Sequence, residues 1–476
     1  MMLSRSPLIF LLSIFTVQVS ATTIVISPGV GFDDATLSSS IPNQQGNNPG
    51  TTLGEMRMNL FQEAAQVWAD ILNSNVDITV AALFEDKFCD ANSATLGSAG
   101  ATSSWADFGA GDAGVAYHVA LAESLKNSNM NATSVEISAQ FNSKVDSDPV
   151  CLGGGGFYYG LDGNAPAGTT ALFPVVLHEL GHGLGFTSIS DVQPGGSGKF
   201  VGAGGYPDAY SRNLHDLDVG TSWDSMSDAE RLASALNEPA LVWKGARATA
   251  DRSLHLGAAP ELVINSPGGI AGTFEALLGD EPTIIIPVGG VTANVIDGNN
   301  FGDGCSQINE GSFNGKIILF DKSDSCMSAT PAFFSEFATN AVGVIIADTT
   351  GTGLPDMSGQ ISNQEITIPY VGVTKSVADD LRANIASANV TIGLSTSKLN
   401  GENQGMVKMY APAAFEQGSS VSHWSRTASP DLLMEPVQGT LEYADVDLTA
   451  AAFDDIGWSV NIPGGVLEVI FKDGFE

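Results

Sequence analysis

Residues 172–186 read LFPVVLHELGHGLGF, and the HELGH motif at 178–182 within them constrains this chain more than any other segment. Apolar residues recur here at three- and four-residue steps and predict a helix over 173–184 with one buried face: Phe173, Val176, Leu177, Leu180 and Leu184. Thr169 or Thr170 is the expected N-cap, and Pro174 suits the first turn. The motif therefore lies on an amphipathic helix.

Two histidines four residues apart share one face of such a helix, where both imidazoles can bind one metal ion. His178 and His182 have this spacing, and Glu179 then points at a metal-bound water. The alternative is an ordinary helix with two surface histidines. A catalytic zinc site uses three protein ligands and a water, so a third ligand is needed.

The third ligand is not obvious from spacing alone. Residues 199–206 (KFVGAGGY) contain no carboxylate, which argues against a downstream glutamate ligand. The pattern HExxHxxGxxH has its glycine at Gly185, but its last position is Ser188, and serine is a poor zinc ligand. The remaining candidates are His118, His215, His255 and His423.

The surroundings of His423 distinguish it from the other candidates. The segments SHWS at 422–425 and LLMEP at 432–436, with a predicted helix over 448–456 before Gly457-Trp458, resemble the leishmanolysin-like branch of the metzincin proteases. A predicted helix, then strands, then the motif helix give an α+β pattern. The resemblance implies a metzincin-like catalytic domain with three zinc ligands, His178, His182 and His423. It also implies that Glu179 is the general base, that Met434 forms the Met-turn beneath the metal, and that Gly185 ends the active-site helix.

A β-rich block separates His182 from His423. Cys305, GKIILF at 315–320, Cys326, AVGVII at 341–346 and IPYVGV at 368–373 resemble, in this order, a protease-associated (PA) domain. We therefore expect a metalloprotease domain in two parts, 22–259 and 395–462, interrupted by a PA domain at 260–394. Residues 463–476 form a tail that is either a sorting signal or a terminal strand.

Composition and the N-terminus indicate the compartment. The chain has 476 residues, 43% of them hydrophobic, and 19 basic against 53 acidic residues, which excludes nucleic acid as a partner. Arg5, an apolar run over 8–17 and small residues at Val19 and Ala21 predict a signal peptide at 1–21; a membrane anchor is the alternative. With no later run of 18 apolar residues, we expect no membrane span and a secreted or periplasmic protein.

The four cysteines suit an oxidising compartment. We expect the disulfides Cys89–Cys151 and Cys305–Cys326, because each pair then lies within one proposed domain. A cysteine metal site would need close CxxC spacing, which this chain lacks.

Further segments give weaker predictions. We expect a helix over 55–72, strands over 77–84 and 134–141, and turns over 22–50. Strand 134–141 is our candidate for binding an extended substrate. His118 is interpreted as a satisfied interior side chain, and the acidic residues of the C-terminal region as a solvated face, with calcium binding as the alternative: Asp445, Asp447, Asp454 and Asp455.

Together these features predict a secreted zinc-dependent endopeptidase that acts on polypeptides. The alternatives are a secreted PA-domain binding protein with a non-catalytic zinc site, and a zinc hydrolase of small amides.

Overall fold

The computed structural model describes residues 22–41, 45–130, 135–279, 284, 286–302, 304–305, 313–323, 326, 329–351, 353–355, 357, 366–437 and 444–461. The predicted signal peptide (1–21) and tail (463–476) lie outside these residues. Within them, no helix has the length and apolar character that a membrane span requires.

The helices of the described residues are α1 Leu53–Ile71, α2 Val119–Lys126, α3 Lys144–Ser147, α4 Leu172–Leu184, α5 Asp228–Ser234, α6 Ala246–His255, α7 Ala329–Thr339, α8 Lys375–Ala383 and α9 Asp447–Ile456. The helices predicted over 55–72, 173–184 and 448–456 are confirmed as α1, α4 and α9. The predicted threonine N-cap of α4 is wrong: Ala171 is the N-cap, and Thr170 instead pairs as a strand residue with Phe157.

The strands are β1 Ile24–Pro28, β2 Ile78–Glu85, β3 Gly97–Ala101, β4 Ser104–Trp105, β5 Tyr117–His118, β6 Ile137–Asn142, β7 Phe157–Tyr158, β8 Thr170–Ala171, β9 Leu214–Asp216, β10 Thr221–Ser222, β11 Leu241–Trp243, β12 Ala258–Ser266, β13 Gly272–Glu275, β14 Leu277–Leu278, β15 Val291–Asp297, β16 Ile317–Asp321, β17 Gly343–Ala347, β18 Tyr370–Val373, β19 Asn389–Leu399, β20 Glu402–Asn403 and β21 Met406–Lys408. Strand β1 lies in the segment that the sequence predicted as turns.

The first sheet has the strand order β1-β2-β6-β3, with β1, β2 and β6 parallel and β3 antiparallel. Alternate residues of β2 and β6 are buried, and α1 and α4 cover this face: Phe61 of α1 contacts Phe84 and Phe141. The indole of Trp68 donates a hydrogen bond to the carbonyl of Leu177 at 2.9 Å and joins the two helices.

The predicted substrate strand, 134–141, corresponds to β6, and this prediction is wrong. Strand β6 lies between β2 and β3, so both of its edges are paired within the sheet. Strand β3 is the edge strand on the side of α4 and contacts that helix.

A second, antiparallel sheet has the order β10-β9-β11-β21-β20. It pairs β11, which precedes the block at 260–394, with β21, which follows it. Beyond β21, the backbone of Tyr410 pairs with Val421 and His423: Tyr410 N–H donates to His423 O at 2.9 Å. This sheet therefore positions the segment that carries His423.

The third sheet, β13-β12-β19-β15-β16-β17-β18-β14, is built from residues 258–399. Two buried apolar clusters line it, and all of their members lie within 262–392. Among the described residues, the buried members of the largest cluster come from 53–256 and 407–458, and Leu399 at the end of β19 packs against it partly buried. Strands β12 and β19 pair with each other, with Ala258 opposite Leu399, so the chain enters and leaves this sheet side by side.

Both predicted disulfides are confirmed. Cys89–Cys151 joins the loops that follow β2 and α3, and Cys305–Cys326 lies within the block.

Candidate metal centre

Helix α4 carries His178 and His182 and ends at Leu184, two residues after His182. Gly185 has φ +121°, which side chains with a Cβ rarely adopt, and its N–H donates to the carbonyl of His182 at 3.1 Å. Two further glycines allow close packing: a Cβ on Gly181 would lie 2.8 Å from the Met434 sulfur, and one on Gly183 would lie 2.3 Å from Ile137 Cγ2. The glycines of the motif therefore bring α4 against β6 and the Met434 segment.

The structure brings His178, His182 and His423 together. Their Nε2 atoms form a nearly equilateral triangle with sides of 3.1, 3.1 and 3.2 Å, although His182 and His423 are 241 positions apart. In the part of the chain that the structure describes, this is the one group of three or more His, Cys, Asp or Glu side chains close enough to share a metal ion.

The other ring nitrogen of each histidine is bound to the backbone. Nδ1 of His178, His182 and His423 lies 2.6, 2.8 and 2.7 Å from a carbonyl oxygen, respectively of Leu433, Phe186 and Ser419. A carbonyl only accepts, so each Nδ1 carries the proton and each Nε2 has a free lone pair. Three lone pairs that converge in this way form a cation site with its outer hydrogen bonds in place.

The triangle fits zinc. Tetrahedral zinc with bonds of about 2.0–2.1 Å to nitrogen separates its ligand nitrogens by about 3.3–3.4 Å. The observed separations of 3.1–3.2 Å need an expansion of only a few tenths of an ångström. Neutral imidazoles with one open coordination position are the donor set of catalytic zinc sites.

Burial keeps these histidines neutral. It lowers the pKa of His178 to about 4 and that of His182 to about 3, where the charge of His178 also contributes. The pKa of His423 is lowered well below its usual value by burial first and by the other two histidines second. At neutral pH all three side chains are in the form that binds a metal.

Glu179 follows His178 on α4 and is 7% exposed. Burial raises the pKa of its carboxyl group to about 8, while a hydrogen bond from the Ala99 backbone and the charge of Lys87 lower it. A Cβ on Gly97 would lie 3.0 Å from Glu179 Cγ, so the edge strand β3 passes close to this carboxyl group. The absence of a side chain at position 97 provides this space.

Met434 is fully buried, with its sulfur facing Gly181 of the motif helix. Its carbonyl accepts a hydrogen bond from Trp424 N–H at 2.8 Å, which ties the Met434 segment to the residue after His423. The neighbouring Leu433 supplies the carbonyl for His178. The turn at Leu433 and Met434 therefore positions His178 directly and His423 through its neighbour Trp424.

Asp447 holds this turn from the first residue of α9. Its carboxylate accepts hydrogen bonds from the backbone N–H of Leu433 and from the N–H and hydroxyl of Thr449, the latter two at 3.0 Å. The Thr449 hydroxyl in turn accepts from the Trp424 indole at 3.3 Å. Asp447 is 6% exposed, so its interpretation as part of a solvated face is wrong.

Asp455 is also structural. Its carboxylate accepts from the backbone N–H groups of Arg247 and Ala248 at the start of α6 and from the Trp243 indole, at 2.7–3.0 Å. The sequence did not identify either role, because a run of acidic residues gives no sign of which one turns inward.

The other candidate ligands lie away from the triangle. His215 is in β9 and approaches the Ser222 hydroxyl at 3.4 Å, and His255 ends α6 near Asp251 and Asp445. His118 is buried as predicted, but the prediction that it is satisfied is wrong: neither ring nitrogen has a hydrogen-bond partner among the described residues. Gly185 packs closely against its ring: a Cβ on Gly185 would lie 3.3 Å from His118 Nδ1.

Ser188 occupies the position at which a shorter motif would place the third histidine. Its hydroxyl bonds to those of Ser190 and Ser211 at 2.6 and 2.8 Å, and its N–H donates to the Ser422 hydroxyl at 3.3 Å. The segment after α4 thus pairs with the segment before His423 instead of supplying a ligand.

No protein-family model matches this chain, and no curated protein matches it. Solved structures with a partial likeness include a zinc aminopeptidase from Bacillus subtilis, with TM-score 0.20 and 20% identity over 31% of this chain and 35% of that one. A peptidase M28 precursor from Shewanella amazonensis has TM-score 0.23 and 20% identity over 31% and 40%. An aminopeptidase from an Aneurinibacillus strain has TM-score 0.20 and 17% identity over 33% and 39%. This chain spans less than half of each protein, and likeness at these TM-scores assigns neither fold nor activity.

Proposed function

We propose that this chain is a zinc-dependent endopeptidase with His178, His182 and His423 as metal ligands. The observation that carries the proposal is the convergence of three unprotonated Nε2 atoms, 3.1–3.2 Å apart, at helix α4, which also carries the buried carboxyl group of Glu179. Zinc bound there would supply Lewis acidity, polarising a substrate carbonyl and lowering the pKa of a water.

Glu179 is the general base in this proposal. In its ionised form, which the positive charge of a bound zinc ion would favour, this carboxyl group accepts the proton of the attacking water and returns it to the amine that leaves as the peptide bond breaks. Peptide hydrolysis then needs no covalent intermediate on the protein. The Ala99 N–H group, which hydrogen-bonds this carboxyl group, holds it in position.

Strand β3 is the proposed binding site for the substrate backbone. It ends the four-stranded sheet in the described part of the chain and runs past Glu179. An extended peptide can therefore add to its free edge through main-chain hydrogen bonds. Its sequence, GSAGA, has only small side chains, which leaves room for those of the substrate.

At a finer level, we propose a secreted, leishmanolysin-like metzincin with an inserted PA domain. The order of the motifs, the fully buried Met434 beneath Gly181 and the separate apolar clusters of residues 262–392 support this assignment. The two disulfides agree with a protein that folds outside the cytoplasm.

A binding protein with a non-catalytic zinc site would not need a buried carboxyl group next to the metal. The burial of the Glu179 carboxyl group, at 7% exposure in the residue that follows His178, favours an enzyme over this alternative. A hydrolase of small amides would not need the free edge of β3.

The test separates metal binding from catalysis. Glu179→Ala should retain about one zinc per chain by elemental analysis and lose casein-cleaving activity by about 10²–10⁴-fold. Glu63→Ala, at an exposed position of α1, is the matched control and should cleave casein at the wild-type rate in the absence of a chelator. Cleavage by the Glu179 variant at near wild-type rates would refute the assignment of the base. A wild-type protein with zinc and no cleavage of casein or peptides would refute the proposed function.

A further inference from the structure

The segment that carries His423 contains a strained backbone conformation. Val421, two residues before His423, has φ +75°. This is the left-handed region, which β-branched residues rarely adopt because their side chains crowd the backbone there. Val421 is 1% exposed, so the conformation belongs to the packed interior. Such a conformation persists only where the surrounding contacts impose it.

The backbone of Tyr410 holds one side of this conformation. Val421 N–H donates to the Tyr410 carbonyl at 2.7 Å, and Tyr410 N–H donates to the His423 carbonyl at 2.9 Å. Two residues of the ligand segment thus bond to one residue opposite, and the segment bulges at Ser422. Bulges of this kind redirect the side chains beside them. The bulge therefore sets the direction in which the His423 side chain leaves the backbone.

The side chain of Tyr210 holds the other side of the conformation. Its hydroxyl donates to the Val421 carbonyl at 2.9 Å, although the two residues are 211 positions apart. Tyr210 is fully buried, and burial, with the charge of Asp208 as the second cause, raises its pKa well above the ordinary value. The hydroxyl therefore keeps its proton and is the donor in this bond.

The packing of the Tyr210 ring fixes the position of this hydroxyl. The ring meets Phe186 edge-on, with the centroids 5.1 Å apart, and meets Trp243 in the same way at 4.9 Å. The carbonyl of Phe186 orients His182. Tyr210 therefore contacts a residue that positions His182 and, through Val421, the segment that carries His423.

We propose that Tyr210 is a positioning residue of the metal centre, whose hydroxyl holds Val421 in the left-handed conformation and so keeps His423 directed at the other two ligands. Without this hydrogen bond, Val421 relaxes toward negative φ and rotates the peptide groups that lead to His423. The three ligands remain, but their preset geometry is lost, and zinc binds more weakly. This inference rests on the ligand set of the proposed function and not on peptide hydrolysis.

The variant Tyr210→Phe removes the hydroxyl and keeps the ring. Its zinc affinity, measured by competition with a chromogenic chelator, should fall about 3- to 10-fold, the effect of one hydrogen bond that acts on a ligand through a neighbouring residue. The visible absorption spectrum of the cobalt(II)-substituted protein should also change, because it depends on the geometry of the ligands around the ion.

The matched control is Tyr159→Phe. Tyr159 is also fully buried, but its hydroxyl bonds to Arg57 and Asp146 and not to a ligand segment. This variant should be less stable to urea and keep the zinc affinity and the cobalt spectrum of the wild type. If the Tyr210 hydroxyl served only stability, the two variants would behave alike.

Substitutions of Val421 test the role of the strained conformation. Glycine adopts positive φ readily and alanine does not, while both remove the branched side chain. In the Tyr210→Phe background, Val421→Gly should restore most of the zinc affinity, because glycine needs no hydrogen bond to hold this conformation. Val421→Ala should leave the zinc affinity low.

Wild-type zinc affinity and an unchanged cobalt spectrum in Tyr210→Phe would overturn the positioning role, as would equal zinc affinities of the two double variants. If a double variant does not fold, Tyr210→Phe and its Tyr159 control decide the question. These measurements use no substrate, so they hold whether or not the protein cleaves peptides. A wild-type protein that binds no zinc would overturn the ligand set and the proposed function, and this inference with them.

Discussion

Replacement of Asp447 by asparagine tests the link between the fold and the metal centre. The carboxylate of Asp447 holds the backbone of Leu433, whose carbonyl orients His178. Burial, with the nearby charge of Asp445 as the second cause, raises the pKa of Asp447 from 3.8 to about 7. Asparagine has nearly the same shape and does not titrate, so the variant removes the pH dependence that this group confers.

The sign follows from linkage. A carboxyl group whose pKa is higher in the folded than in the unfolded state binds its proton more tightly when the protein is folded. Asp447 therefore does not lower the free energy of unfolding below pH 3.8, and lowers it progressively as the pH rises toward 7. The shift from 3.8 to about 7, at about 1.4 kcal/mol per pH unit, corresponds to about 4 kcal/mol. The free energy of unfolding of Asp447→Asn, minus that of the wild type, should therefore increase by about 4 kcal/mol between pH 4 and pH 8.

Urea unfolding at five pH values, followed by tryptophan fluorescence, measures this difference. All six tryptophans lie outside residues 258–399, so the signal reports on the part of the chain that contains the metal centre. Subtracting the free energies of unfolding of the two proteins cancels the contribution of the histidine titrations. Asp224→Asn, at an exposed position, controls for the replacement of a carboxylate by an amide. Parallel stability curves for wild type and Asp447→Asn would refute the reasoning.

Two further predictions concern the ligands and the block. His423→Ala should lose zinc as completely as His182→Ala, because two imidazoles alone bind zinc weakly; full zinc occupancy of the His423 variant by elemental analysis would contradict the ligand set. Replacing residues 258–399 by an Asn-Gly turn should leave a folded protein that retains zinc and cleaves small peptides. A short turn can join the two ends because Asn400 N–H already donates to Gly257 O at 2.8 Å. Insoluble or zinc-free protein would show that the block belongs to the catalytic core.

Elements with strong internal signals were predictable from sequence. Helices α1 and α4 have apolar residues at helical spacing, and each disulfide joins cysteines within one contiguous part of the fold. Strand β3 could not be predicted, because GSAGA has no β-branched or aromatic residue. It is a strand only because it pairs with β6, a contact between distant residues that local composition does not encode.

The same limit applies to the metal centre. Residue types identified the three histidines and Glu179, but the groups that orient the histidines are the carbonyls of Phe186, Ser419 and Leu433. Every residue has a carbonyl, so no side-chain pattern identifies these three. The inward orientation of Asp447, among three other acidic residues nearby, is likewise a result of the packing of α9.

The position of His423 explains how a metal centre can contain residues 241 positions apart. Closing a disordered loop of about 140 residues would cost about 4 kcal/mol in chain entropy. Here the block is folded, and its first and last strands, β12 and β19, pair with each other, so its ends are already together. The chain then re-enters the second sheet as β21 beside β11, and Tyr410 aligns the segment of His423. Among the described residues, the hydrogen bonds that hold His423 come from Ser419 and Tyr410, which lie outside the block, so the block contributes to the triangle by keeping its own two ends close together.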